Sequence, residues 1–439
     1  MEIKGKENNN NAITLIALII TIIILLVLAG VTIAALTGDN GVLRRASEAS
    51  EKTEIANEQE KVRLSAMGAI TKNNGEKIIR TNLNEELTNN IGKEGIDYTL
   101  SESETAPFVV TYSNSGRSYL IDENGNVSEY VDISKYIKVG DYINYNPTIV
   151  DKSGTQVELS KLTYTSLKGT GTSHGNGSGN QAFTASADIK WRVFSIGNGI
   201  VQLISENAIT TDEGTNFTMN SAIGYLYAEQ ELHEICKIYG YGYGADTSQV
   251  TEYSYGGPLD GDLTGKIIGS GARSITAKDI NKKAGIYEDE NGILRFSDGT
   301  AVNTLYGNTT NPTMDIHYPT INTMEGKSES IGARNLKYTD YNYNKSKVED
   351  IDMQDILFNG NYWLASRCIT SNYYVAQYRV SYIDSNQFDN AYLYTGNNST
   401  DFEYSYNDYA VRPIVILKSN VIDTNSSTEY NGKTMWNLK

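Results

Sequence analysis

Residues 371–409 read SNYYVAQYRVSYIDSNQFDNAYLYTGNNSTDFEYSYNDY, and 24 of these 39 positions are Asn, Tyr, Ser or Asp. Binding loops use that composition: Tyr offers a large rigid face with a hydroxyl at small entropy cost, while Ser and Asn adapt their hydrogen bonds. Recognition is therefore the chemistry expected, with Tyr373, Tyr374, Tyr378, Tyr382, Tyr392, Tyr394, Tyr404 and Tyr406 as candidate contacts. Alternation along a strand lets only about half of them face one ligand. The competing reading is that Tyr and Asn simply fill exposed strands and turns in a chain holding 32 Tyr.

Catalytic and metal chemistry find less support. The three His, His174, His233 and His317, have no spacing that suggests a metal site or a triad. Cys368 stands two residues after Ser366, but a reactive thiol needs a base or a positive field, and on a strand Arg367 points to the opposite face. No catalytic residue and no cofactor are expected. Calcium is not expected either: Asp122-Glu123-Asn124-Gly125-Asn126 lacks the later Glu of a calcium loop and reads as a hairpin turn. Only Cys236 and Cys368 are present, which permits one disulfide outside the cytoplasm or two buried thiols. With 53 acidic against 37 basic residues the net charge is -16, which disfavours a nucleic-acid partner.

The elements that must carry these residues begin with an uncharged run from Ala12 to Leu36, longer than the roughly 20 residues a bilayer-crossing helix needs. It predicts a transmembrane helix, extended outward as a stalk by helix formers up to about residue 72. Alternating apolar residues around Asn-Ser-Gly and Glu-Asn-Gly-Asn turns predict a small antiparallel sheet within 73–130, and a second domain is expected from residue 131. There the clearest hairpin is Ile189–Ile196 with Ile200–Ser205, and helices are expected at Ala228–Tyr239 and Thr276–Lys283, the latter with Thr276 as N-cap and Asp279 three residues on. The glycine- and serine-rich stretch 166–180 is expected to be mobile.

Two resemblances sharpen this outline. Ala12 followed by Ile13-Thr14-Leu15-Ile16-Ala17-Leu18 resembles the prepilin family, a short polar leader before a continuous hydrophobic helix. The resemblance implies cutting between Ala12 and Ile13 by a prepilin peptidase, and partnership with other pilins. Ala12 stands where that family has Gly, and Ala17 where it has Glu, so a pilin-like anchor is implied rather than a major fibre subunit. The second rests on Tyr362-Trp363-Leu364-Ala365-Ser366-Arg367 and Ala410-Val411-Arg412-Pro413-Ile414-Val415-Ile416-Leu417, with Trp191-Arg192-Val193 and Gly271-Ala272-Arg273-Ser274-Ile275-Thr276 agreeing. These motifs look like an uncharacterised domain of Gram-positive surface proteins, similar to C-type-lectin-like and sulfatase-modifying-factor-like domains, with Trp363, Arg412 and Pro413 in the core.

The expected architecture is thus α+β: leader 1–12, transmembrane and stalk helix 13–72, pilin-like sheet 73–130, β-rich C-type-lectin-like domain 131–425, and a tail or edge strand 426–439. The expected role is a single-pass, membrane-anchored surface protein with its N-terminus inside, whose outer domain binds an extracellular glycan or protein. The alternative is a minor pilin or pseudopilin within a filament or secretion apparatus.

Overall fold

Helix-forming residues run without a proline from Val42 to Lys72 and form one 31-residue helix, α1. In the computed structural model the described residues are 18–28, 42–147, 149–150, 156–157, 163–165, 182–184, 188–197, 199–209, 217–255, 263–291, 293–302, 317–319, 328–330, 342–371, 375–397, 403–404 and 406–439. The chain divides into two units, Met1–Tyr130 and Val131–Lys439.

In the first unit α1 buries Val62, Ala66 and Ala69, a stripe at helical spacing. A second helix, α2 (Arg80–Asn90), buries Leu83 and Leu87 one turn apart. Four strands follow, β1 (Tyr98–Leu100), β2 (Phe108–Tyr112), β3 (Ser118–Ile121) and β4 (Val127–Tyr130), paired in sequence order as an antiparallel meander. Phe108, Val110 and Tyr112 alternate inward onto the helices. The turn at Asp122 is the expected hairpin turn: its carboxylate accepts the backbone N–H groups of Asn124 and Asn126.

A buried polar clamp ties α1 to the meander. Glu58 accepts both Arg117 Nε (2.8 Å) and Nη2 (3.2 Å) and the Tyr119 hydroxyl (2.9 Å), while Tyr112 donates to the Glu58 carbonyl (3.1 Å). Burial raises the Glu58 carboxyl, but the bonds from Arg117, Ser115 and Tyr119 outweigh it and the net shift is downward. Because the folded value lies below the unfolded one, this contribution is complete above about pH 4.5 and is lost as pH falls through the folded value. Arg117→Ala leaves a nearly buried carboxylate unpaired and is expected to cost about 2–3 kcal/mol. Amide exchange across β2 and β3 would speed up accordingly; unchanged protection would contradict the clamp.

The expected transmembrane helix is corrected. Among the described residues no helix is long and apolar enough to cross a membrane. The described residues 18–28 are helical and apolar, and α1 carries charges along its whole length. Positions 12–17 and 29–36 of the expected span, the leader 1–11, and with them the Ala12–Ile13 junction, lie outside the described residues.

The second unit is mixed α/β with several sheets. Its main elements are β5 (Tyr142–Ile143), β6 (Trp191–Gly197), β7 (Ile200–Ser205), α3 (Ser221–Lys237), β8 (Ala272–Ser274), α4 (Ala277–Lys283), α5 (Ile351–Leu357), β9 (Tyr362–Ser371), β10 (Val375–Ile383), β11 (Gln387–Asn397), β12 (Glu403–Tyr404), β13 (Pro413–Lys418), β14 (Ile422–Tyr430) and β15 (Lys433–Leu438). One sheet has the order β8-β13-β7-β6-β5-β15-β14, antiparallel except where β15 runs parallel to β5. Another pairs Tyr343–Asn344, β11, β10 and β9, with β12 alongside β11. At the C-terminus β14 forms the edge of the first sheet and β15 lies inside it.

α3 packs against β8 of the first sheet and β9 of the second. Being covered on both sides, it buries Tyr225, Leu226, Ala228, Leu232, Ile235 and Cys236 around most of its circumference. It begins at Ser221, seven residues before the expected start, because Tyr225, Leu226 and Tyr227 belong to the same core. The other expected helix is found as drawn: Thr276 accepts the Asp279 N–H and Asp279 accepts the Thr276 N–H, a reciprocal cap on α4.

Candidate functional site

The tyrosine-rich segment builds β10, β11 and β12 together with Tyr406–Tyr409, which pairs with Phe217–Asn220. Strand register sets Tyr378 opposite Tyr394, and Tyr394 opposite Tyr404, so these three occupy neighbouring positions on three adjacent strands. Tyr392 stands opposite Arg379 beside a bulge. The other ends of the same strands are anchored in the core by Val380, Ile383, Phe388, Ala391 and Leu393. Tyr406 opposes Asn220, and Tyr373 and Tyr374 lie outside the described residues.

Tyr382 is placed differently from the rest. It stacks on Tyr409 at 4.2 Å and 12°, and meets Trp363 edge-on at 6.4 Å. Burial pushes its phenol well above the usual range, and the hydrogen bond with Tyr409 adds to that. Trp363 is fully buried and donates from Nε1 to the Phe217 carbonyl at 2.7 Å, so Tyr382 continues this aromatic core.

The disulfide that the sequence permits is not formed. Cys236 on α3 and Cys368 on β9 are both buried thiols. Burial raises the Cys236 thiol far above its ordinary value, which keeps it protonated. Beside Cys368, Arg367 pairs with Glu229 at 3.5 Å and lies 5.0 Å over the Tyr225 ring, so that guanidinium serves α3. His233 is buried on α3 and its Nδ1 accepts the Ser274 N–H at 3.2 Å, which puts its proton on Nε2. His174 lies outside the described residues, and His317 opposes Ser330 in a short hairpin. Among the described residues no group of three or more His, Cys, Asp or Glu is arranged to hold a metal ion.

A polar cluster not foreseen from the sequence joins β5 and β6 to the tip of the β14–β15 hairpin in the first sheet. Arg192 on β6 opposes Tyr142 on β5, and its guanidinium carbon sits 5.7 Å over the Tyr142 ring. Tyr142 meets Tyr430 edge-on at 4.9 Å and donates to Glu206 Oε1 at 2.5 Å. Burial and that bond push the Tyr142 phenol up to about 12, so it remains a donor. Tyr430 and Asn431 approach the same carboxylate at 3.5 and 3.4 Å. Lys190 holds its ammonium 5.9 Å over the Tyr430 ring. The available signal was Lys190 and Arg192, two cations at alternate positions of an otherwise apolar strand, hence on one face.

No family model, curated protein or solved structure matches this chain, so its function has to be argued from these two groups of residues.

Proposed function

We propose that the second unit is a recognition module that binds an extracellular glycan or protein through tyrosines at the outer end of the sheet formed by β9 to β12. The alignment of Tyr378, Tyr394 and Tyr404 across three neighbouring strands carries this reading. This register sets three tyrosines at paired positions, and tyrosine combines a large contact face and a hydroxyl with a small entropy cost on binding. The net charge of -16 argues against nucleic acid as the partner.

The test is binding of the full chain to glycan arrays and intact cells, beside the variant Tyr378→Ala, Tyr394→Ala, Tyr404→Ala. Saturable binding, weakened about tenfold or more in a variant that still melts cooperatively, is the expected result. Equal binding by both proteins, or none by either, would remove the reading.

A second reading, a structural subunit of a filament or secretion apparatus, draws on the first unit, where α1 packs along an antiparallel meander. That agrees with the prepilin resemblance at Ala12–Leu18. Coexpression with a prepilin peptidase should then give a chain that begins at a methylated Ile13. An intact leader in that experiment would count against it.

A further inference from the structure

We propose that Arg192, Lys190, Tyr142, Glu206, Tyr430 and Asn431 form a binding site for an acidic saccharide unit, a sugar ring bearing a single carboxylate. This site stands apart from the tyrosine row and does not depend on it.

Arg192 is only 8% exposed, and its Nε is buried with no hydrogen-bond partner. Among the described residues no carboxylate forms an ion pair with it. By contrast, Arg117 is filled by Glu58, Arg273 by Asp279, and Arg412 by backbone carbonyls. A cation withdrawn from water without a counter-charge is unfavourable, and a planar fork is the group that best matches a carboxylate. Gly140 lies beside the guanidinium. Its φ of +94° already favours glycine, and a Cβ there would lie 3.6 Å from Arg192 Nη2, the first atom of a side chain over the guanidinium.

The surrounding groups select the kind of anion. Glu206 would repel a multiply charged ligand such as a phosphate monoester. Two of its three contacts, from Tyr430 and Asn431, are long at 3.5 and 3.4 Å, so the carboxylate retains capacity to accept hydroxyl groups. Asn431 sits at the Asn-Gly tip of the β14–β15 hairpin with φ +49°, and its amide both donates and accepts. Tyr430, half-buried, supplies aromatic surface for the apolar face of a sugar ring, with Tyr142 packed edge-on behind it. Depth is graded: Lys190 and Asn431 are exposed, Glu206 and Tyr430 half-buried, Tyr142 and Arg192 buried. A ligand with hydroxyls and one carboxylate satisfies the cation at the floor and the carboxylate and amide at the rim. An acidic peptide side chain would satisfy only the cation.

The experiment is calorimetric or NMR titration of the full chain with D-galacturonate, and with neutral D-galactose as control. Saturable galacturonate binding, weaker by about tenfold or more for galactose and in Arg192→Gln, is the expected result. Because Arg192 is buried, the exposed-rim double variant Lys190→Ala, Asn431→Ala is measured as well, and it too should weaken binding by several-fold. The variant lacking Tyr378, Tyr394 and Tyr404 should bind galacturonate normally, which separates this site from the tyrosine row. Absent galacturonate binding, equal binding of galactose, or binding unaffected by the rim variant would each overturn the proposal.

Discussion

Arg412→Ala is expected to unfold Val131–Lys439 at moderate temperature and leave Met1–Tyr130 folded. Arg412 is completely buried just before β13. Its Nε and Nη2 donate to the Ser205 carbonyl at 3.1 and 3.0 Å, Nη2 also to Glu206 at 2.9 Å, and Nη1 to Ile356. The guanidinium carbon lies 5.0 Å over the Tyr362 ring. One side chain thereby joins the end of β7, the end of α5 and the start of β9. Alanine would leave carbonyls without donors at about 1–3 kcal/mol each. It would also open a cavity costing about 2–5 kcal/mol. Together these approach the whole stability of a typical domain. Lysine should recover little, since one ammonium cannot reach carbonyls on both sides. All three tryptophans, Trp191, Trp363 and Trp436, lie in this unit, so their fluorescence reports on it alone. A urea midpoint close to that of the unchanged protein would show that the guanidinium is dispensable.

What the sequence made legible followed from local rules. The β6–β7 hairpin has its strongest period-2 pattern around Gly-Asn-Gly, α4 announces itself through Thr276 and Asp279, and Trp363, Arg412 and Pro413 were placed in the core where they are found. Pro413 illustrates the reason: at the first position of β13 it gives up little of the ladder. Less legible was anything set by distant partners. α2 has only Leu83 and Leu87 as apolar signal among polar residues, and acquires its burial from α1 and the meander. β15 enters the first sheet by pairing with β5, almost 300 positions earlier, which no local pattern records. The uncharged run 12–36 satisfied a length rule, whereas among the described residues no helix is long and apolar enough to cross a membrane. At the tyrosine segment composition pointed to recognition, but register decides which tyrosines adjoin, and register depends on a bulge between Tyr378 and Arg379 that composition does not predict. The Arg192 cluster was obscured because its six residues come from four separated segments.

Acid is expected to weaken the second unit as pH falls below 6.5, and His233 is the reason. The imidazole is buried on α3, accepts the Ser274 N–H, and has Arg273 and Asp279 as its charged neighbours. Burial lowers its value first, Arg273 lowers it further, and Asp279 offsets part of this, leaving it at about 3 against an ordinary 6.5. The folded state therefore refuses a proton that the unfolded chain accepts. Stability is complete above pH 6.5 and falls as pH drops from 6.5 towards 3. At about 1.4 kcal/mol per unit the total is on the order of several kcal/mol. Asp279 also contributes, but in a lower window: burial raises it and Arg273 outweighs burial, so its share is lost only below its ordinary 3.8. The measurement is the urea midpoint from tryptophan fluorescence at pH 7.5 and pH 5, with His233→Gln alongside. The unchanged protein should lose about 1–2 kcal/mol over that interval, the part of the window between 6.5 and 5. The glutamine variant, less stable at neutral pH but without a proton to gain, should lose much less. An equal slope in both proteins would assign the acid sensitivity to another group and leave His233 as packing alone.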